Sequence, residues 1–198
     1  SRRVYEWIRC TTPMDLGDWS HHNPVRVHFG RGCRKSLVET LAEQQVLVVC
    51  SLRGRHQLEC DQLLSGAFQS AKRLIWMDSV KPNPDLYGLQ EIIDRLLDVQ
   101  VDCVVAFGGG SAIDSAKVLA LALSPKARHY PARELLTISA KFSACDSLPL
   151  YALPTTAGSG SEVTPYATVW DNVGRQKYSL AGPCVYPHTA FVDPELSD

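Results

Sequence analysis

Two stretches of this 198-residue chain place glycines and hydroxyls where they could hold a phosphate. The first is Gly108, Gly109, Gly110 and Ser111, directly after an apolar run at residues 102–107 and directly before a segment of helical period. A strand that ends in glycines and opens a helix presents unobstructed N–H groups at the positive end of the helix dipole, which makes an anion site. The same glycines could equally serve only to turn the chain tightly. The second stretch runs Pro154, Thr155, Thr156, Ala157, Gly158, Ser159, Gly160, Ser161, Glu162 and follows a short apolar run at 150–153. It adds the hydroxyls of Thr155, Thr156 and Ser161 to a backbone that a ligand can approach closely. Alone it also reads as a surface turn whose hydroxyls cap local N–H groups. Together the loops mean more, because ligands of open parallel sheets bind outside the carboxyl ends of the strands, where both would face one crevice. Neither loop follows the commonest nucleotide fingerprints. Ile113 stands where the dinucleotide motif has its third small residue, and Lys117 has the wrong spacing, and no following Ser or Thr, for a Walker loop.

The elements that must position these loops alternate between short β-branched runs and longer helical segments, the pattern of parallel α/β units. Strands are expected at 25–29, 46–50, 73–77, 102–107 and 150–153. Further β segments are expected at 167–170, 176–180 and 190–192, with Asn172, Val173 and Gly174 turning between the first two of these. Helices are expected over 33–44, along a face carrying Leu58, Leu63, Leu64 and Phe68, from Asp85 through Leu97, and from Ile113 until Pro125. Residues 124–147 are the least legible, with a short helix at 133–140. No internal repeat or low-complexity tract appears, so residues 1–198 read as one Rossmann-like, doubly wound α/β domain with a mostly parallel sheet. Residues 1–24 read as an N-terminal extension or edge strand of that domain.

Composition narrows the function classes. With 45% hydrophobic and 21% charged residues the chain is ordinary globular protein, and a net charge of −1 without a basic cluster argues against nucleic acid or anionic membrane as partner. Apolar runs such as 46–50 and 101–107 are far below the roughly 20 residues of a membrane span. The seven cysteines are odd in number and never approach C-x-x-C spacing, which favours free thiols packing as small hydrophobes in a reducing, cytoplasmic setting. His21, His22, His28, His56, His129 and His188 are scattered without metal-ligand spacing.

Gly108 through Lys117 resembles the GGGSxxDxAK motif of the iron-containing alcohol dehydrogenases, and residues 154–164 resemble that family's PTTAGTGSEVT loop with Ser159 in place of Thr. Pro82-Asn83-Pro84 is similar to its PNP turn, Lys177 to its downstream lysine, and Asp193-Pro194-Glu195-Leu196 to its DPEL segment. The resemblance implies that Gly109, Gly110, Ser111 and Asp114 hold the pyrophosphate and nearby ribose of a nicotinamide dinucleotide, that Asn83 borders the same groove, and that Thr155, Thr156 and Lys177 contact the cofactor from the other side. It implies hydride transfer between a small alcohol and its aldehyde, with a divalent metal, Fe or Zn, polarising the substrate oxygen. That metal belongs to a C-terminal helical domain beyond residue 198, so no catalytic residue and no metal ligand is expected here. The chain alone should bind dinucleotide weakly and catalyse nothing, and a homo-oligomer is compatible with the family. The competing reading is a stand-alone nucleotide-binding or regulatory module that has lost the metal chemistry.

Two finer expectations follow. The strand at 46–50 ends in Ser51, where NAD-using relatives often carry Asp, and Arg53 and Arg55 lie just beyond it, which leans toward NADP over NAD. The run 164–171 with Lys177, Tyr178, Ser179 and Leu180 is similar to the phosphonoacetaldehyde reductase branch, which points to a small, anionic aldehyde. Most of those residues also suit plain β packing.

Overall fold

A computed structural model describes residues 22–197. The expectation for residues 1–21, including an edge strand, lies outside the described residues, and 22–24 have no regular structure. Eight strands and six α-helices follow in order: β1 (Arg26–Phe29), α1 (Val38–Leu41), β2 (Gln45–Val49), α2 (Leu52–Cys60), α3 (Gln62–Ser70), β3 (Arg73–Met77), α4 (Leu86–Leu96), β4 (Cys103–Gly108), α5 (Gly110–Ala122), α6 (Ala132–Ile138), β5 (Leu150–Pro154), β6 (Tyr166–Asp171), β7 (Gln176–Ala181) and β8 (Thr189–Val192).

Six strands form one parallel sheet in the order β1-β8-β5-β4-β2-β3, while β6 and β7 form a separate antiparallel hairpin. Alternation along the central strands explains why helices cover both faces. Val46, Val48 and Cys50 with Cys103, Val105 and Phe107 pack with Leu37, Leu58 and Leu64. Leu47, Val49, Val104 and Ala106 pack instead with Leu89, Ile93, Ile113 and Leu119 from α4 and α5. A strand buried on both faces must be apolar along its buried length, and β2 from Val46 and β4 are. The chain leaves β2 outward to β3, then returns to β4 on the other side of β2. That reversal opens a crevice at the carboxyl ends of β2 and β4.

Two helix expectations need correction. Residues 33–44 form a 3-10 turn over Cys33–Leu37 and the one-turn α1, not a single helix. The segment starts from Gly32 and stops before Glu43, both at positive φ, which leaves too few residues for a long helix. Leu58 and Leu64 lie on two helices, because Asp61 is extended and its Oδ1 accepts from the N–H groups of Leu63 and Leu64 at 2.9 and 3.1 Å. That bond starts a new helix and breaks the old one. Asp85 caps α4 as expected, its Oδ2 accepting from Gly88 N at 2.9 Å.

Arg34 fastens the last described residues to this frame. It is 8% exposed and donates to Asp61 Oδ2 at 2.8 Å, Asp193 Oδ2 at 2.6 Å and Glu195 Oε2 at 2.8 Å. Burial opposes its charge, but the bonds to Glu195 and Asp193 outweigh that and push its pKa up. No helix among the described residues is long and apolar enough to cross a membrane.

Candidate functional site

Strands β4 and β5 end level, Gly108 beside Pro154, so the two glycine-rich loops leave the sheet next to each other. Thr155 N donates to Gly108 O at 3.1 Å and ties the second loop to the first. Gly108 has φ +144, and a Cβ there would stand 2.8 Å from Cβ of Ala112. Gly109 caps α5 without any side-chain bond, and its added Cβ would meet Thr156 Oγ1 at 2.8 Å. At Gly110 the neighbour is Ser159, 3.2 Å from a built Cβ. These glycines let the second loop press onto the first turn of α5, where Gly110 and Ser111 carry N–H groups with no intrahelical acceptor.

A cleft of about 490 Å³ lies over this turn, at the topological switch point. Ser51, Gly109, Gly110, Ser111, Thr155 and Thr156 line it together with Gly108, Arg53, Gln57, Lys81, Leu196 and Ser197. Ser51 is the N-cap of α2, and its Oγ accepts from Gly54 N at 3.1 Å. Gly54 lets α2 sit close to β4, since a Cβ there would lie 3.2 Å from the Phe107 ring. Burial pushes the Cys50 thiol beneath this wall up to about 12, so it stays neutral.

Three residues assigned to the groove by resemblance do not line this cleft. Asn83 has φ +60 and donates its backbone N–H to Ser111 Oγ at 3.2 Å, but it lines an adjoining cleft of about 550 Å³ across the Lys81-Pro82 segment. Asp114 does not line the groove. Its Oδ1 accepts from Ser161 Oγ and its Oδ2 from Thr168 N at 2.9 Å, so both oxygens are engaged by the protein. Lys177 is exposed on β7 with Nζ 5.5 Å above the Trp170 ring, where a surface cation–π contact holds it. Arg55 is also occupied, donating to Asp78 at 2.7 Å and Glu59 at 2.9 Å and lying 4.8 Å over the Trp76 ring.

Sequence reasoning passed over Lys117, Lys81 and the Leu196-Ser197 wall. Lys117 is 1% exposed, one of the largest fully buried side chains among the described residues, and its Nζ donates to the carbonyls of Thr164 at 2.7 Å and Tyr166 at 2.6 Å. Burial draws its pKa down to about 8 against the raising influence of Asp114 and Glu162. A lysine inside the otherwise apolar run 116–123 was the available signal. Glu162, matched by motif alone, keeps a buried Oε2 without a hydrogen-bond partner. Among the described residues no group of three or more His, Cys, Asp or Glu could hold a metal ion. His28 stacks on Phe191 and His188 Nδ1 meets Thr189 Oγ1, so those rings serve packing. The paired loops present backbone N–H groups and hydroxyls to one cleft, as binding the phosphates of a dinucleotide would require.

A phosphonoacetaldehyde reductase of Streptomyces viridochromogenes is 42% identical over 105 residues, covering 52% of this chain and 26% of that protein. Lactaldehyde reductase of Escherichia coli is 29% identical over 85% of this chain and 41% of its own length. The fold superposes with a TM-score of 0.77 on a sulfoacetaldehyde reductase from Bifidobacterium kashiwanohense solved in complex with NAD+, at 26% identity over 91% of this chain and 47% of that one. An iron-containing alcohol dehydrogenase from Thermotoga maritima gives 0.77 at 28% identity over 91% and 49%. The chain thus spans less than half the length of the curated relatives it matches. The model of the iron-containing alcohol dehydrogenases matches residues 24–194, and with the cleft built from that family's two loops the chain belongs to the iron-containing alcohol dehydrogenase family.

Proposed function

We propose that this chain is the cofactor-binding half of an NAD(P)-dependent alcohol dehydrogenase or aldehyde reductase, and that it takes NADP in preference to NAD. The observation that carries the reading is the crevice between Ser51 and the paired glycine loops. Free N–H groups of Gly110 and Ser111 and the hydroxyls of Thr155 and Thr156 would bind pyrophosphate and ribose. Ser51 supplies no carboxylate to repel a 2′-phosphate, and Arg53 and Lys81 approach the same cleft from two walls. Arg53 makes no hydrogen bond or ion pair within the described residues, whereas Arg55 is held by Asp78 and Glu59, so Arg53 is the arginine for this task. When bound, the nicotinamide ring supplies the hydride acceptor or donor. This chain orients that ring by gripping the rest of the dinucleotide.

The substrate we infer is a small anionic aldehyde, supported by the phosphonoacetaldehyde and sulfoacetaldehyde reductases among its relatives. The metal, Fe or Zn, and the alcohol pocket belong to a C-terminal helical half. Cytoplasmic residence and a homo-oligomer complete the reading, and the cysteines among the described residues are all unpaired. Fluorescence titration tests the cofactor choice. NADPH should bind more tightly than NADH, and Ser51→Asp should reverse the order. Equal or tighter NADH binding by the unaltered chain refutes NADP preference, and metal-dependent turnover by residues 1–198 alone refutes the division of labour. Dinucleotide binding without turnover in the presence of the helical half would favour the regulatory module.

A further inference from the structure

We propose that Lys117, with Asp114, is a positioning residue that fixes the second glycine-rich loop and the β6-β7 hairpin onto the helix forming the phosphate cradle. The two side chains sit one turn apart on α5 and reach the same segment. Asp114 accepts from Ser161 Oγ and Thr168 N, while Lys117 donates to the carbonyls of Thr164 and Tyr166. Four bonds from one helix face therefore hold residues 161–168. The loop at 155–160 is pinned at its start by Thr155 N on Gly108 O and at its end by Ser161 on Asp114. Both pins belong to the β4-α5 unit whose first turn carries the free N–H groups, so the spacing across the cradle follows from them. At the far end the hairpin is fastened again, Trp170 N donating to Pro84 O at 2.8 Å and Asn172 Nδ2 to Asp85 Oδ1 at 2.8 Å.

A neutral side chain would have satisfied the packing of α5 at lower cost, because burying an ammonium is expensive unless it is well bonded. Its worth lies in the two loop carbonyls, which no aliphatic residue could satisfy, and in its proximity to two acids. The charged groups facing Lys117 are Asp114 from its own helix and Glu162 from the loop. Deprotonation would leave those two carboxylates without their cation. An amine still donates to both carbonyls, so the fold itself survives the change.

This inference rests on the dinucleotide reading of the cleft, and its test separates the two. NADPH dissociation constants are measured by fluorescence from pH 7 to 9.5 for the unaltered protein, Lys117→Met and Asp114→Asn, with thermal midpoints alongside. Expected results are a constant raised about tenfold to a hundredfold in Lys117→Met, as for losing hydrogen bonds to a charged group, and a smaller rise in Asp114→Asn. The unaltered protein should bind more weakly through pH 8 while Lys117→Met shows no such inflection, a difference that simple loosening of the fold would not produce. If Lys117→Met does not fold, Asp114→Asn and hydrogen exchange of residues 161–168 in the unaltered protein, with and without NADPH, carry the test. NADPH should then protect that segment. Unchanged affinity and pH profile in both variants, or no protection there, overturns the positioning role alone. No NADPH binding by the unaltered protein overturns the function reading and this inference with it.

Discussion

Replacing Gly108 with alanine should damage the chain more than any other single methyl added at a glycine of the two loops. The magnitude comes from two separate causes. Gly108 holds φ +144, a conformation L side chains rarely adopt, and forcing a residue to stay in such a region costs about 1–3 kcal/mol. The new methyl would also stand 2.8 Å from Cβ of Ala112, a side-chain atom fixed directly to the α5 backbone that cannot rotate away. Overpacking of that kind costs about 1–3 kcal/mol more. A total of about 2–6 kcal/mol is a large part of the 5–15 kcal/mol typical of a whole domain, and in a chain of this size it lowers the thermal midpoint by about 5–20 °C. Two controls divide the causes. Gly158→Ala has φ +105 with no atom within 4 Å, so it should show backbone strain alone. Gly66→Ala lies inside α3 with open space and an ordinary φ, so it should be neutral or gain up to about 1 kcal/mol from helix propensity. Calorimetric midpoints for the three variants should fall in the order Gly66→Ala, Gly158→Ala, Gly108→Ala. A Gly108→Ala midpoint within about 2 °C of the unaltered chain, or equal to that of Gly158→Ala, would show that the cradle is not packed as described.

Arg34→Met should cost about 3–5 kcal/mol in urea unfolding, because it strands the fully buried Asp193 carboxylate without its cation; a loss under 1 kcal/mol would mean the network is surface-like. Iodoacetamide at pH 8 followed by peptide mapping should label Cys60 and Cys145 ahead of Cys50 and Cys103, whose buried thiols are pushed up to about 12. Acid stability follows Asp146, held down to about 2 chiefly by its bond to Lys126, together with Asp171 and Asp193, whose pKa values are also lowered. Folded values below the ordinary 3.8 mean that these groups stabilise fully above it and lose that contribution as pH falls toward 2, so the thermal midpoint should drop steeply below pH 4. Lys117 acts in the same sense at high pH. Its folded value of about 8 lies below the ordinary 10.5, so the unfolded chain binds more protons between them and this group's contribution to stability rises across that interval. The increase should be absent in Lys117→Met.

Much of the fold was legible because its strongest signals are local. Strands buried on both faces must be apolar along their buried length, so β2 and β4 stood out within a residue of their observed ends, and Asp85 announced the start of α4 through its own side chain. The segment at 33–44 failed for a tertiary reason. Its residues have helical preferences, yet Gly32 and Glu43 at positive φ confine it, and Arg34 is held by acids that lie 27 and 159 residues away. Asp61 failed for a local one, since an aspartate that can cap is a possible helix start wherever it falls, and only the packing of Leu58 and Leu64 on β2 decides that it does so here.

The cleft shows the same division. Glycines at strand ends are read from sequence because their need is steric and immediate, and Gly108, Gly109 and Gly110 all stand where a Cβ would strike a neighbour. Charged residues cannot be read that way, because the same carboxylate serves a ligand or a loop according to what the chain brings back to it later. Asp114 and Lys117 are three apart on one helix face, a spacing equally suited to a solvated ion pair, a cofactor contact or an internal clamp. What separates these is the return of residues 161–168 across α5, set by β5, the second loop and the hairpin together. Once that segment lies over the helix, water is excluded from Lys117, its ammonium must find acceptors within reach, and the carbonyls of Thr164 and Tyr166 are there. The motif therefore records two requirements at once. On the proposed function its glycines keep space for the phosphate, and on the proposed positioning role its aspartate and lysine hold the second loop close enough for that space to be a site.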